Sequence, residues 1–299
     1  MKVITNKLFD DRKAILKGYL YDNSLEFQMD KKRPAVIICP GGGYWYVSER
    51  EADAVAFQYL AEGYQTFVLY YTTGAEAVYP VSLQELSKAV SLIRTHADEW
   101  YIDSNRIFGC GFSAGGHLLA SLGVHADEEM LTGDIGVREG SNHLNALVLG
   151  YPAISLKAKE IVVPPEIQAL IDTGEIGFGP GPQYTLSGHE PTDEELIRYD
   201  VTQYVTEKTP PVFLWHTYED SIIPFEDGIS FIKKLHEHGV NAELHIFSTG
   251  NHGLSLATEL TAKSSEDIND EVAVWFQLSI KWLKKQMSKS DICQNQIKG

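Results

Sequence analysis

Short apolar runs alternate along the chain with longer segments whose apolar residues recur every three or four positions. The short runs are rich in β-branched residues and predict strands at residues 14–21, 34–39, 66–71, 106–110, 144–149, 211–216 and 243–247. The periodic segments predict helices at residues 49–62, 83–97, 114–124, 227–238 and 269–285. This alternation of strands and helices is typical of an α/β fold built on a mostly parallel sheet.

The alternation stops between residues 151 and 208, where Pro, Gly and Glu are frequent and no strand pattern is present. We predict that this stretch is an insertion covering one end of the sheet as a lid, with residues 177–183 (GFGPGPQ) in a loop. The whole chain, residues 1–299, is expected to form one domain. Its polar end, residues 287–299, is expected to be frayed.

Composition narrows the possible partners. The chain has 299 residues, with 25 Lys and Arg against 41 Asp and Glu, a formal net charge of −16. This charge argues against binding nucleic acid or an anionic membrane surface. No apolar stretch approaches the roughly 18 residues of a membrane span, and the first residues do not resemble a signal peptide. With only 3 cysteines, a cytoplasmic protein is expected, and a homo-oligomer is left open.

A G-x-S-x-G pentapeptide is the first candidate for chemistry. Gly111, Ser113 and Gly115 follow a predicted strand and open a predicted helix, which is the setting of a nucleophile elbow. The overlapping pattern from Gly109 to Ala114 also fits a dinucleotide-binding fingerprint. That alternative is disfavoured because several strands precede it and no acidic residue ends the next strand.

A serine hydroxyl needs a base that removes its proton, and the base needs an acid that orients it. Asp220 follows the predicted strand 211–216, and His252 follows the predicted strand 243–247. Both positions agree with the order Ser, acid, His that a nucleophile elbow requires. We therefore predict Ser113, Asp220 and His252 as a catalytic triad. Glu219 adjoins Asp220 and is kept as an alternative acid.

The negative oxygen of an acyl-transfer intermediate needs backbone N–H donors. One is expected from Ala114, after the nucleophile, and another from the glycine-rich loop after the strand 34–39. Tyr44 and Trp45, in the same loop, are expected to wall the substrate pocket. No CxxC or HExxH pattern is present, so no metal and no cofactor are expected.

Taken together, these motifs resemble those of the α/β-hydrolases, and more narrowly the acetyl-xylan-esterase-like carbohydrate esterases, with hormone-sensitive-lipase-type esterases further off. The resemblance covers residues 35–283. It is carried by PGGGYW, SERE, GFSAGGHLLASL, TPPVFLWHTYED and GNHGLSL. It implies the same triad and hydrolysis of short acyl esters, such as acetyl groups on sugars. The lipase-type relatives have histidine where this chain has Pro40, and we favour Gly42 and Gly43 over Gly41 as donors.

The leading hypothesis is therefore a serine carboxylesterase whose partner is a small-molecule ester, most simply an acetylated sugar. An arylformamidase or other amidase is an alternative, because the GGYW run also resembles that family. A general short-chain lipase or esterase is another. A non-catalytic binding protein is less favoured because the predicted triad is complete.

Overall fold

The computed structural model of the protein describes residues 1–156, 165–173 and 181–297. In this part of the chain, strands form one eight-stranded sheet in the order β1-β2-β4-β3-β5-β6-β7-β8. The strands are β1 (Lys2–Lys7), β2 (Ile15–Leu20), β3 (Arg33–Cys39), β4 (Gln65–Tyr70), β5 (Ile102–Phe112), β6 (Ala146–Gly150), β7 (Val212–Thr217) and β8 (Ala242–Phe247). Strand β2 is antiparallel to β1 and β4, and every pairing from β4 to β8 is parallel. The predicted α/β class is confirmed.

Helices cover both faces of the sheet. The α-helices in the described part of the chain are α1 (Asp53–Ala61), α2 (Val81–Thr95), α3 (Ser113–His125), α4 (Pro165–Asp172), α5 (Pro182–Ser187), α6 (Asp193–Tyr199), α7 (Phe225–Glu237), α8 (Asp270–Ala273) and α9 (Trp275–Ile297). Side chains of α2, α3 and α7 belong to one buried core, and those of α1 and α9 to a second. Successive residues of β3 alternate between the two cores: Ile37 packs in the first and Ile38 in the second. A central strand buried on both faces explains the uninterrupted apolar run.

Each of the seven predicted strands is present with ends shifted by a few residues, the largest change being the extension of 106–110 to Ile102–Phe112. Strand β1 was not predicted. Its side chains are exposed or half-buried, so the sequence KVITNK carries no apolar run. Pairing with β2, rather than burial, defines this edge strand.

The predicted insertion contains no strand within its described residues, 151–156, 165–173 and 181–208. It contains α4, α5 and α6 instead. The loop predicted at 177–183 lies partly outside the described residues, and for Pro182 and Gln183 the prediction is wrong, since they begin α5. Proline fits there because the first residues of a helix need no N–H donor. The lid role stays a prediction.

The backbone of α9 is helical to Ile297, and the fraying expected for residues 287–299 stays a prediction. Neither Gly nor Pro interrupts this sequence, so no residue in it terminates the helix.

Candidate active site

Four loops meet where the parallel strands end at their carboxyl edge. They follow β3, β5, β7 and β8, which are near neighbours in the sheet. Open α/β sheets place ligands outside this edge. All of the predicted site residues lie in these loops or at the start of α3.

The loop between β5 and α3 is a tight turn centred on Ser113, whose φ of 50° is in the left-handed region. A Cβ on Gly115 would lie 2.0 Å from the Cys39 carbonyl oxygen, and one on Gly111 would lie 2.6 Å from the Gly115 carbonyl oxygen. Real Cβ atoms do not approach that closely, so both positions require glycine. The strained turn presents the serine hydroxyl at the N-terminus of α3, as a nucleophile elbow does.

The structure brings Ser113, His252 and Asp220 into one hydrogen-bonded chain. His252 Nδ1 lies 2.7 Å from Asp220 Oδ2, and His252 Nε2 lies 2.9 Å from Ser113 Oγ. A carboxylate only accepts hydrogen bonds, so Nδ1 carries the proton and Nε2 accepts from the serine. Ser113, which is more than 100 positions before the other two residues, therefore has the geometry that general-base activation of a serine needs.

The carboxylate of Asp220 is held rigidly. Its side chain is 0% exposed, and its Oδ1 accepts the N–H groups of Ile222 and Ile223, each at 2.9 Å. Burial alone would raise the pKa of Asp220. The hydrogen bond and charge of His252, together with the Ile223 amide, outweigh burial and bring that pKa below its usual value. The group is thus suited to remain ionised and to hold the imidazole.

The alternative acid does not reach the histidine. Glu219 Oε2 accepts the N–H of Gly250 at 3.0 Å, on the exposed side of the loop. Asp227, the next carboxylate along the chain after Glu226, lies inside the first turn of α7, whose N-cap is Pro224. The structure therefore leaves Asp220 as the carboxylate paired with His252.

Two of the three glycines in the loop after β3 can supply backbone donors, because the N–H group of the first, Gly41, is already engaged. The Gly41 N–H donates to Glu51 Oε2 at 2.7 Å. Gly42 and Gly43 have φ values of 121° and 65°, which favour glycine, and their N–H groups donate to no group in the described part of the chain. Ala114 is in the first turn of α3, where N–H groups have no partner within the helix.

A cavity of about 340 Å³ opens at this point. It is lined by Gly42, Gly43, Ser113, Ala114 and His252, together with Trp45, Ile222 and Ile223. The candidate nucleophile, base and amide donors therefore face one space.

The two aromatic residues predicted to wall the pocket have different positions. Trp45 lines the cavity, and its ring occupies the space that a Cβ on Gly43 would need. Tyr44 does not line it, which corrects that prediction. Tyr44 is 1% exposed, and its hydroxyl lies 2.8 Å from His117 Nδ1 in the core.

Two residues near the triad were missed by sequence reasoning. Glu51 is 4% exposed and accepts hydrogen bonds from Gly41 and from the Tyr151 hydroxyl. The Tyr151 ring packs edge-on against the His252 imidazole, with centroids 4.9 Å apart. Glu51 belongs to the SERE motif and Tyr151 directly follows the predicted strand 144–149 and Gly150, but neither position indicates a contact across 100 residues.

In the described residues, no cluster of three or more His, Cys, Asp or Glu could hold a metal ion. The same part of the chain contains no helix with the length and apolarity needed to cross a membrane. The metal-free and cofactor-free site stays a prediction.

Known proteins similar to this chain are hydrolases by name. Endo-1,4-beta-xylanase B of Butyrivibrio fibrisolvens is 32% identical over 233 residues, 77% of this chain and 34% of the xylanase. Acetylxylan esterase of Xylanibacter ruminicola is 25% identical over 262 residues, 86% of this chain and 47% of the esterase. The chain thus spans a third to a half of these curated relatives. The crystal structure of the carboxylesterase Cest-2923 from Lactobacillus plantarum is 30% identical, with a TM-score of 0.79 over 96% of this chain and 98% of that one.

The eight-stranded sheet and these similarities define an α/β-hydrolase fold. The BD-FAE family model matches residues 21–235, and the chain belongs to that family.

Proposed function

We propose that the protein is a serine esterase that removes short acyl groups, acetyl above all, from sugars or small oligosaccharides. One observation carries this proposal: a hydrogen-bonded Ser113–His252–Asp220 chain faces the same cavity as the amides of Gly42, Gly43 and Ala114. Nucleophile, base and oxyanion donors in one space are the minimum set for acyl transfer.

The reaction follows from these positions. Ser113 Oγ attacks the ester carbonyl while His252 Nε2 takes its proton, and the negative oxygen is bound by the loop and helix amides. His252 then donates the proton to the leaving alcohol, and an acyl-enzyme remains on Ser113. Water deprotonated by His252 attacks this acyl group, and the acid departs as the serine is restored.

The cavity supports a small acyl group on a polar leaving group. Its volume of about 340 Å³ is at the lower end of the range for small-molecule sites. Ile222 and Ile223 supply an apolar wall, and the polar side chains of Ser48, Arg50 and Lys263 also line it. The printed name of the acetylxylan esterase relative supports the same substrate class. The cytoplasmic location expected from the sequence stays a prediction.

A rate series tests this proposal. We expect fast turnover of p-nitrophenyl acetate and of an acetylated xylo-oligosaccharide, with kcat/KM falling from butyrate to octanoate. Ser113→Ala, the control, should lower every rate about 10⁴-fold or more. A preference for octanoate would indicate a general esterase or lipase, and turnover of N-formylkynurenine without ester turnover would indicate an amidase. Either result would contradict the proposal.

A further inference from the structure

A buried carboxylate joins the two sides of the site. Glu51 lies at the end of a 3₁₀ turn, Glu49–Glu51, and is 4% exposed. Its Oε2 accepts the Gly41 N–H at 2.7 Å, and its Oε1 accepts the Tyr151 hydroxyl at 2.7 Å. A buried carboxylate without hydrogen-bond donors is destabilising, so both bonds are significant.

The glycine side of this contact is close to the nucleophile. A Cβ built on Gly41 would lie 2.8 Å from Glu51 Oε2 and 2.9 Å from Ser113 Cβ. The Glu51 carboxylate and the Ser113 Cβ therefore lie on the same side of Gly41, beside the serine turn. By holding the Gly41 amide, it fixes the entry into Gly42 and Gly43, which line the cavity.

The tyrosine side leads to the histidine. The Tyr151 hydroxyl accepts the N–H of Ser255 at 2.8 Å, and its ring packs against the His252 imidazole. Ser255 Oγ in turn donates to the Arg50 carbonyl oxygen at 2.7 Å. Burial, with the charge of Glu51, raises the pKa of Tyr151 far above its usual value. The hydroxyl therefore keeps its proton and donates a hydrogen bond to Glu51.

We propose that Glu51 is a positioning residue that aligns the glycine-loop amides with the His252 loop through Gly41 and Tyr151. Glu51 also lines the cavity, but its oxygens accept from these two donors and form no hydrogen bond with Ser113 or His252 in the described residues. A carboxylate suits the position because Gly41 and Tyr151 both donate to it, and a carboxylate only accepts. Glutamine would present an NH₂ group to one of them. The proposal rests on the serine-esterase function proposed above.

Four variants test this role with p-nitrophenyl acetate: Glu51→Gln, Tyr151→Phe, their combination, and Glu49→Gln as a matched control. Glu49 is in the same turn but exposed. Losing an oxyanion donor costs about 10²–10³ in rate, so misplacing one through Glu51→Gln should lower kcat about 10–100-fold. KM should change by less than about threefold, because ground-state binding does not use this alignment. Glu49→Gln should stay within about twofold of the unmodified protein in both constants.

Tyr151→Phe removes one of the two bonds and keeps the ring against His252, so we expect a smaller fall in kcat. The double variant should be no slower than Glu51→Gln alone, because both changes act through one carboxylate. Thermal unfolding establishes that each variant is folded at the assay temperature. If Glu51→Gln does not fold, the kcat and KM of Tyr151→Phe decide the question.

The proposal is overturned if a folded Glu51→Gln, or Tyr151→Phe in its place, retains kcat within twofold. A rise in KM at constant kcat, or losses that multiply in the double variant, would overturn it as well. Ser113→Ala separates this failure from failure of the function: an active Ser113→Ala would refute the triad. An inactive Ser113→Ala beside a fully active Glu51→Gln would refute only the positioning role.

Discussion

Two histidines in this protein make hydrogen bonds through both ring nitrogens, yet their surroundings differ. His252 lies between Asp220 and Ser113 at the carboxyl edge of the sheet, and its side chain is 12% exposed. His117 lies on α3, is 3% exposed, and bridges the Tyr44 hydroxyl and a backbone carbonyl oxygen of the inserted segment. One ring faces a cavity and the other is enclosed.

Each ring makes two hydrogen bonds, so the two sites differ in the charge of the partner and not in the number of bonds. Burial lowers the pKa of His117 to about 4, so this ring stays neutral near pH 7. His252 instead has an ionised carboxylate 2.7 Å from Nδ1, which stabilises the protonated ring that a general base must become. The same type of side chain is therefore a structural bridge in one place and is suited to proton transfer in the other.

Exchanging each histidine for glutamine should give opposite results. His252→Gln is expected to lower kcat/KM about 10⁴-fold or more, with little loss of stability, because the base is removed from a partly exposed position. His117→Gln is expected to lower stability by about 1–3 kcal/mol through lost buried hydrogen bonds, with a much smaller change in kcat. Ester kinetics and urea unfolding measure the two effects. A His117→Gln variant that is inactive but as stable as the unmodified protein would contradict our interpretation of the two sites.

The acid beside His252 should be equally specific. Asp220→Asn is expected to lower kcat about 10⁴-fold, because an amide neither stabilises the protonated imidazole nor selects its tautomer. Glu219→Gln is the matched control, one residue away, and should stay within about twofold. Steady-state kinetics of the two folded variants provide the measurement. A large loss in Glu219→Gln with an active Asp220→Asn would show that the alternative acid carries the role.

The enclosed histidine should also appear in the pH dependence of stability. The pKa of His117 is about 4 in the folded state, against the ordinary histidine value of 6.5 in the unfolded chain, so between these values the unfolded chain binds more protons. The contribution of neutral His117 to the free energy of unfolding is therefore fully present above pH 6.5. It is lost as the pH drops toward 4, a change of roughly 3 kcal/mol.

Urea unfolding at pH 7 and pH 4.5 checks this expectation. His117→Gln should lose less stability than the unmodified protein between the two pH values, because the variant has no ring to protonate there. Parallel losses in the two proteins would contradict it.

Much of this arrangement could be predicted because its signals are local. The buried strands were marked by apolar runs, and Ser113, Asp220 and His252 each follow such a run at the position where parallel strands end. The order of these three residues supplied the remaining constraint. The physical reason is that a strand–turn–helix unit is specified by neighbouring residues.

The features that were missed depend on contacts between distant residues. The bond between Glu51 and Tyr151 spans 100 positions, and that between Tyr44 and His117 spans 73. Hydrophobic periodicity contains no information on such pairs. Strand β1 was missed for a related reason, since its pairing with β2 rather than an apolar pattern defines it.

Covalent labelling tests the central claim most directly. The protein would be treated with diethyl p-nitrophenyl phosphate, and the modified residue would be located by mass spectrometry of peptides. We predict one diethylphosphoryl group per chain, on Ser113, and a loss of activity in proportion to the labelling. Neither the Ser113→Ala variant nor the His252→Gln variant should be labelled. An active protein without an adduct, or an adduct on another residue that accounts for the inactivation, would contradict Ser113 as the activated nucleophile.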